Sequence, residues 1–125
     1  MTTMAPSPTQ NTGSLSENRA ALWLERQGVR VLGRNLLCRA GEIDLVALDG
    51  EVLVFVEVRY RGSGSHGGAA ASVNRGKQQR LLRAARYFLP GLVRRHFAGR
   101  PPACRFDVIC VQNGQLQWIR HAFTE

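Results

Sequence analysis

The chain has no long apolar run: no stretch approaches the roughly 20 apolar residues that a membrane-spanning helix needs. Lysine is almost missing. Of 17 Lys and Arg residues only Lys77 is a lysine, and the nine acids leave a net charge of +8. That excess excludes an acidic solvating protein and favours a polyanionic partner, nucleic acid before an anionic membrane surface. Cysteine is sparse. Cys38, Cys104 and Cys110 form an odd set without CxxC spacing, which argues against a structural zinc site and against a secreted disulfide framework. They read as small hydrophobes in a reducing cytosol. His66, His96 and His121 lack metal-pair spacing. Aromatics are 7% of the chain, so few are free to stack on bases, and recognition of backbone or shape is expected over sequence-specific recognition of single strands. The opening MTTMAPSPTQNTGS holds no basic residue and no apolar block. It does not read as a signal peptide, and residues 1–13 are expected to be a disordered lead-in.

What is present suits one compact domain over residues 14–125, with 44% hydrophobic residues to fill a core. SLSENRAALWLERQG (14–28) has the cap, stripe and terminal glycine of a helix. VRVLGRNLLC (29–38) reads as a strand with a polar interruption. GEIDLVAL (41–48) and EVLVFVEVRYR (51–61) read as a hairpin about Asp49-Gly50. GSGSHGG (62–68) is a flexible connector. ASVNRGKQQRLLRAARYFL (71–89) is a second long helix, expected to break at Pro90-Gly91, with a short helical turn over 92–97. CRFDVICV (104–111) and QLQWIRHAF (115–123) form a second hairpin about Asn113-Gly114. The order αβββαββ implies an α/β fold with a mixed sheet flanked by helices.

The stretch LVFVEVRYR (53–61) poses a question, because Glu57 ends an apolar run where an unpaired carboxylate is costly. With Asp49-Gly50 as the turn, Asp44 pairs with Phe55 and Glu42 with Glu57, so Glu42, Asp44, Glu57 and Arg59 share one face. Carboxylates ~5 Å apart repel by roughly 3 kcal/mol at an effective dielectric near 20. Either protein cations offset them (Arg59, Arg61 or Arg39 beside Glu57), or a hard divalent cation does. An all-oxygen donor set suits Mg²⁺ or Mn²⁺. A hard cation held by acids in a positive protein is what metal-assisted attack on a phosphodiester requires.

The series GEIDLVALDGEVLVFVEVRYR, HGGAAASVNRGKQQRLLRAARYFL and RFDVICV resembles the YraN family of small bacterial endonuclease-like proteins, from about Ser14 to Phe123. That family is similar to archaeal Holliday-junction resolvases and to the PD-(D/E)xK nuclease superfamily. The resemblance implies a restriction-endonuclease-like fold and a Mg²⁺-dependent endonuclease site for structured or branched DNA. It implies Asp44 and Glu57 as metal-binding acids, aided by the Val58 carbonyl and by a helix-one acid, Glu17 or less well Glu25. Glu42 fits the GEID motif without a settled role. Where the superfamily has lysine this chain has Arg59, which is always charged and cannot act as a general base but can clamp phosphate. Lys77 either compensates or is a plain helix surface charge. Asp107 is expected to anchor the sheet or to pair with an arginine. By analogy with resolvases a homodimer is expected.

NRGKQQ is not a P-loop, having Ala71 where a glycine is needed and Gln78 after the lysine, and GSGSHGG is not a dinucleotide fingerprint. Arg75, Arg80 and Arg83, with Arg61 on the strand, are the expected DNA contacts. Two functions stay open: a metal-dependent endonuclease with Asp44, Glu57, Arg59 and Lys77 in catalysis, or a DNA-binding module of nuclease fold that brings DNA to a partner.

Overall fold

The computed structural model describes residues 8–61 and 73–124, with side chains described from residue 15 and not at residue 61. The elements are α1 (Pro8–Arg26), β1 (Arg30–Cys38), β2 (Gly41–Asp49), β3 (Val52–Arg61), α2 (Arg75–His96), β4 (Cys104–Gln112) and β5 (Gln115–Phe123). The expected order αβββαββ holds. The strands form one sheet in the order β1-β2-β3-β4-β5. All neighbours are antiparallel except β3 and β4, which run parallel and are joined across α2. A parallel pair needs such a crossover, and a helix is its usual form. The mixed α/β sheet is consistent with a restriction-endonuclease-like fold.

Two boundaries differ from expectation. α1 begins at Pro8, so residues 8–13 of the expected lead-in are helical, while residues 1–7 lie outside the described residues. Its other end is as expected. Gly28 adopts φ 85° and closes the helix, with Gly28 N–H donating to Glu25 O and Val29 N–H to Leu24 O, the paired bonds of a glycine-terminated helix. α2 does not break at Pro90-Gly91 but runs on to His96. Pro90 is exposed on the outer side, while Ala84, Ala85, Leu92 and Val93 are buried on both sides of it. Packing of that face outweighs the one helical hydrogen bond that proline removes. The connector expected over 62–68 lies outside the described residues.

The apolar run 53–56 is explained by helices on both faces of the sheet, which removes the usual polar alternation. On one side Ile43, Val46, Leu53 and Phe55 pack with Leu81, Leu82, Ala84 and Ala85 of α2. There Phe55, Phe106 and Phe123 stack with centroids 5.4 and 5.0 Å apart. On the other side Leu45, Ala47, Val54, Val56 and Ile109 pack with Ala20, Ala21 and Leu24 of α1, and Trp23 meets Trp118 edge to face at 5.3 Å.

The hairpin register differs from expectation by one residue on each strand. Asp49 pairs with Val52 and Leu45 with Val56, so Gly50-Glu51 is the turn, with Gly50 at φ 62°. Asp49 stays in the strand because its Oδ2 accepts from Arg105 at 2.9 Å. Parity is kept, since both strands slip together. One further step of this register sets Asp44, not Glu42, opposite Glu57.

Asp107 is fully buried and anchors the β4–β5 pair as expected. Its carboxylate accepts from Arg105 Nε and Nη2, Trp118 Nε1 and the His121 backbone N–H, each at 2.9 Å. These bonds span the register shift between Phe106 and Val108. A buried carboxylate is tolerable only when satisfied in this way. No helix among the described residues is long and apolar enough to cross a membrane.

Candidate active site

The site forms where β2 parts from β3. Ile43 packs with the α2-side core but Leu45 with the α1-side core, so strict alternation fails at Asp44. The backbone pairing with β3 stops at Leu45. Beyond it the Asp44 carboxylate takes over, and Val58 N–H donates to Asp44 Oδ2 at 2.9 Å. Asp44 is thereby held by the strand that carries Glu57. On the other side of β2, Asn35 of β1 takes φ 52°, a left-handed conformation that Asn tolerates better than most residues. With its nitrogen turned inward, the Asn35 amide donates to Glu42 Oε1 at 2.9 Å and to Glu17 Oε2 at 2.9 Å.

These elements bring Glu17, Glu42 and Asp44 together, each offering one carboxylate oxygen within 4.8 Å of the others. Glu17 comes from α1 and its carboxyl is raised above the ordinary range, by burial first and then by Asp44 and Glu42. Asp44 is raised by burial, against the Val58 hydrogen bond, and further by Glu42. Glu57 lies beside this trio. It is 5% exposed, and its Oε2 has no hydrogen-bond partner among the described residues. Burial, then the Asp44 charge, pushes its carboxyl up to about 7.

Glu57 meets two cations. Lys77 Nζ lies 3.5 Å from Glu57 Oε1 and Arg59 Nη1 lies 3.8 Å from the same oxygen. Lys77 is therefore at the site and not merely on the helix surface. Its place follows from local sequence: Asn74 caps α2 and its Oδ1 accepts from Lys77 N at 2.9 Å, which fixes the first turn. Arg59 is 38% exposed and stands at the rim.

Of the residues singled out by sequence, Glu17, Asp44, Glu57, Arg59 and Lys77 converge here. The tight trio includes Glu42 where Glu57 was expected, and Glu57 stands next to it. Glu25 does not take part; its Oε1 accepts from Val31 N–H at 3.0 Å and closes the turn into β1. Arg75, Arg80 and Arg83 are exposed on α2. The Arg61 side chain lies outside the described residues. Asn35 was missed, although the polar interruption of β1 was its signal. A second missed signal is charge segregation: residues 58–106 hold no acid and 11 of the 17 Lys and Arg. The acids of the site come from earlier in the chain, against a wholly basic stretch.

The donor set fits a hard divalent cation. It is made of carboxylate oxygens, three of its acids have raised pKa values that a cation would reverse, and the buried Glu57 Oε2 has no partner among the described residues.

Residues 16–111 match the model described as "Uncharacterised protein family UPF0102". A UPF0102 protein of Bordetella parapertussis is 57% identical over 117 residues, covering 94% of this chain and 66% of that protein, just under two thirds of its length. One from Bordetella petrii is 54% identical, over 94% of this chain and 73% of that protein. One from Alkalilimnicola ehrlichii is 49% identical, over 96% and 92% respectively. The match covers α1 from Ser16, the whole carboxylate cluster, Lys77 and the β4 anchor, and the chain belongs to the UPF0102 family.

Proposed function

We propose that the protein is a divalent-metal-dependent endodeoxyribonuclease acting on structured or branched DNA. The observation that carries this reading is the trio Glu17, Glu42 and Asp44 within 4.8 Å, set beside a buried Glu57 that Lys77 approaches to 3.5 Å. Glu17, Glu42 and Asp44 would hold Mg²⁺ or Mn²⁺, with Glu57 adjoining. When bound, such an ion polarises a phosphoryl oxygen and lowers the pKa of a coordinated water. The chain's own residues supply the rest. Lys77 sets a compact positive charge against the cluster, where it stabilises negative charge developing on a phosphate. Arg59 at the rim clamps a phosphate oxygen through its planar fork. Glu57 orients Lys77, whose Nζ its Oε1 meets at 3.5 Å. The basic stretch from residue 58 to 106 holds the polyanion.

The test is cleavage of labelled duplex, flap and four-way-junction DNA in Mg²⁺, Mn²⁺ or EDTA, beside Asp44→Ala. Metal-dependent cleavage that the variant loses is expected. One observation favours a second reading, the DNA-binding module. Arg59 stands where nucleases of this type carry lysine, and arginine cannot take up a proton. Binding without cleavage, unchanged in Asp44→Ala, would select that reading and reject the first.

A further inference from the structure

α2 carries seven Lys and Arg residues and no acid. Arg80, Arg83, Tyr87 and Arg94 follow one another at spacings of three, four and seven, so they line one flank of the helix. All four are exposed, Tyr87 at 69%. The flank starts at the site: a Cβ placed on Gly41, next to Glu42, would lie 3.7 Å from the Arg80 Cβ. Tyr87 is not a loose surface ring. Phe88 packs against the α2-side core and meets the Tyr87 ring edge to face at 4.9 Å. A ring that is braced from below, open to solvent and flanked by arginines has the make-up of a stacking platform for an unpaired base on a phosphate track. The sparse aromatics suggested that few would be free for this role, and Tyr87 is an exposed one.

We infer that Tyr87 stacks on an unpaired nucleobase of the substrate while Arg80, Arg83 and Arg94 hold the flanking phosphates. This inference rests on the nucleic-acid reading above and narrows it: the substrate carries a single-stranded arm beside its duplex. Tyr87 lies ten residues beyond Lys77, about 15 Å along the helix axis. At about 3.4 Å per stacked nucleotide, the stacked base sits roughly four nucleotides from the phosphate at the carboxylates.

The test uses the full chain in EDTA, with a blunt duplex and the same duplex bearing a single-stranded arm. 2-Aminopurine is placed at successive positions of the arm. Wild type is expected to prefer the armed duplex and to quench the probe most strongly at one position of the arm. Tyr87→Ala loses roughly 5- to 100-fold in affinity for the armed duplex, loses the quench, and binds the blunt duplex within twofold of wild type. Tyr87→Phe keeps both affinity and quench. Equal affinities of Tyr87→Ala and wild type for the armed duplex, or an equal loss on both DNAs, would overturn the inference while leaving the proposed function standing. Wild type that binds neither DNA would overturn both. Tyr87 is exposed and alanine favours helix, so the variant folds, which a thermal melt verifies.

Discussion

Glu57→Gln should make the metal-free protein more stable at alkaline pH, although it deletes two ion pairs. Glu57 is 5% exposed with one oxygen unpartnered among the described residues, and its carboxyl is raised from 4.5 to about 7, chiefly by burial. The sign follows from proton binding. Between about pH 4.5 and 7 the native state holds a proton that the unfolded chain has released, so stability falls as pH rises through that window. The loss is on the order of 3 kcal/mol, at about 1.4 kcal/mol for each tenfold change in proton affinity. Glutamine has the shape of the protonated acid and no charge. Urea unfolding in EDTA should therefore find wild type and Glu57→Gln within about 0.5 kcal/mol of each other at pH 5. At pH 8.5 the variant should be more stable by about 2–3 kcal/mol, with an unchanged urea slope. A variant less stable than wild type at pH 8.5 would refute the reasoning. It would mean that the pairs with Lys77 and Arg59 outweigh the desolvation of the carboxylate.

The other predictions concern the cluster and its supports. Mg²⁺ should raise the melting temperature of wild type more at pH 8 than at pH 5.5, because protons compete for Glu17, Asp44 and Glu57, whose pKa values are all raised; Asp44→Asn should remove the effect in a thermal-shift titration. Lys77→Met should lower stability more at pH 8.5 than at pH 5, since Lys77 favours the ionised forms of Glu57 and Asp44; pH-dependent melts check this. Asp107→Ala should cost about 3–5 kcal/mol in urea unfolding, because it leaves Arg105 with Asp49 alone and removes the acceptor of Trp118 and His121; a loss under 1 kcal/mol would show that the anchor is dispensable. Asn35→Gly should keep the backbone turn at φ 52° but lose the amide that bridges Glu17 and Glu42, so Mg²⁺ affinity measured by calorimetry should fall while the melting temperature in EDTA moves little.

The sequence carried the element order because each element announces its own ends: Gly28 after α1, a glycine turn before β3, Asn113-Gly114 before β5. It carried the parity of the hairpin, which survives a slip of one residue on both strands, but not the break in alternation at Asp44. It could not carry the register itself, since what keeps Asp49 in the strand is Arg105, 56 residues away. Pro90 misled for a related reason: local chemistry says that the helix breaks, and the buried apolar face on both sides of it says otherwise. Glu17 was separable from Glu25 only by position along the helix, and the structure separates them by what each touches. Asn35 needs its left-handed backbone to be recognised, and a strand pattern read as alternation passes over it.

The bond from Val58 N–H to the Asp44 carboxylate makes this one amide a built-in spectroscopic probe. Its proton resonance senses the charge on Asp44 directly, since a hydrogen bond to a carboxylate is stronger than one to a neutral acid. In an ¹⁵N-labelled sample, titrating acid or Mg²⁺ should move the Val58 cross-peak before the bulk of the sheet responds. The state of the carboxylate cluster can thus be followed without substrate, through a backbone position that no substitution needs to disturb.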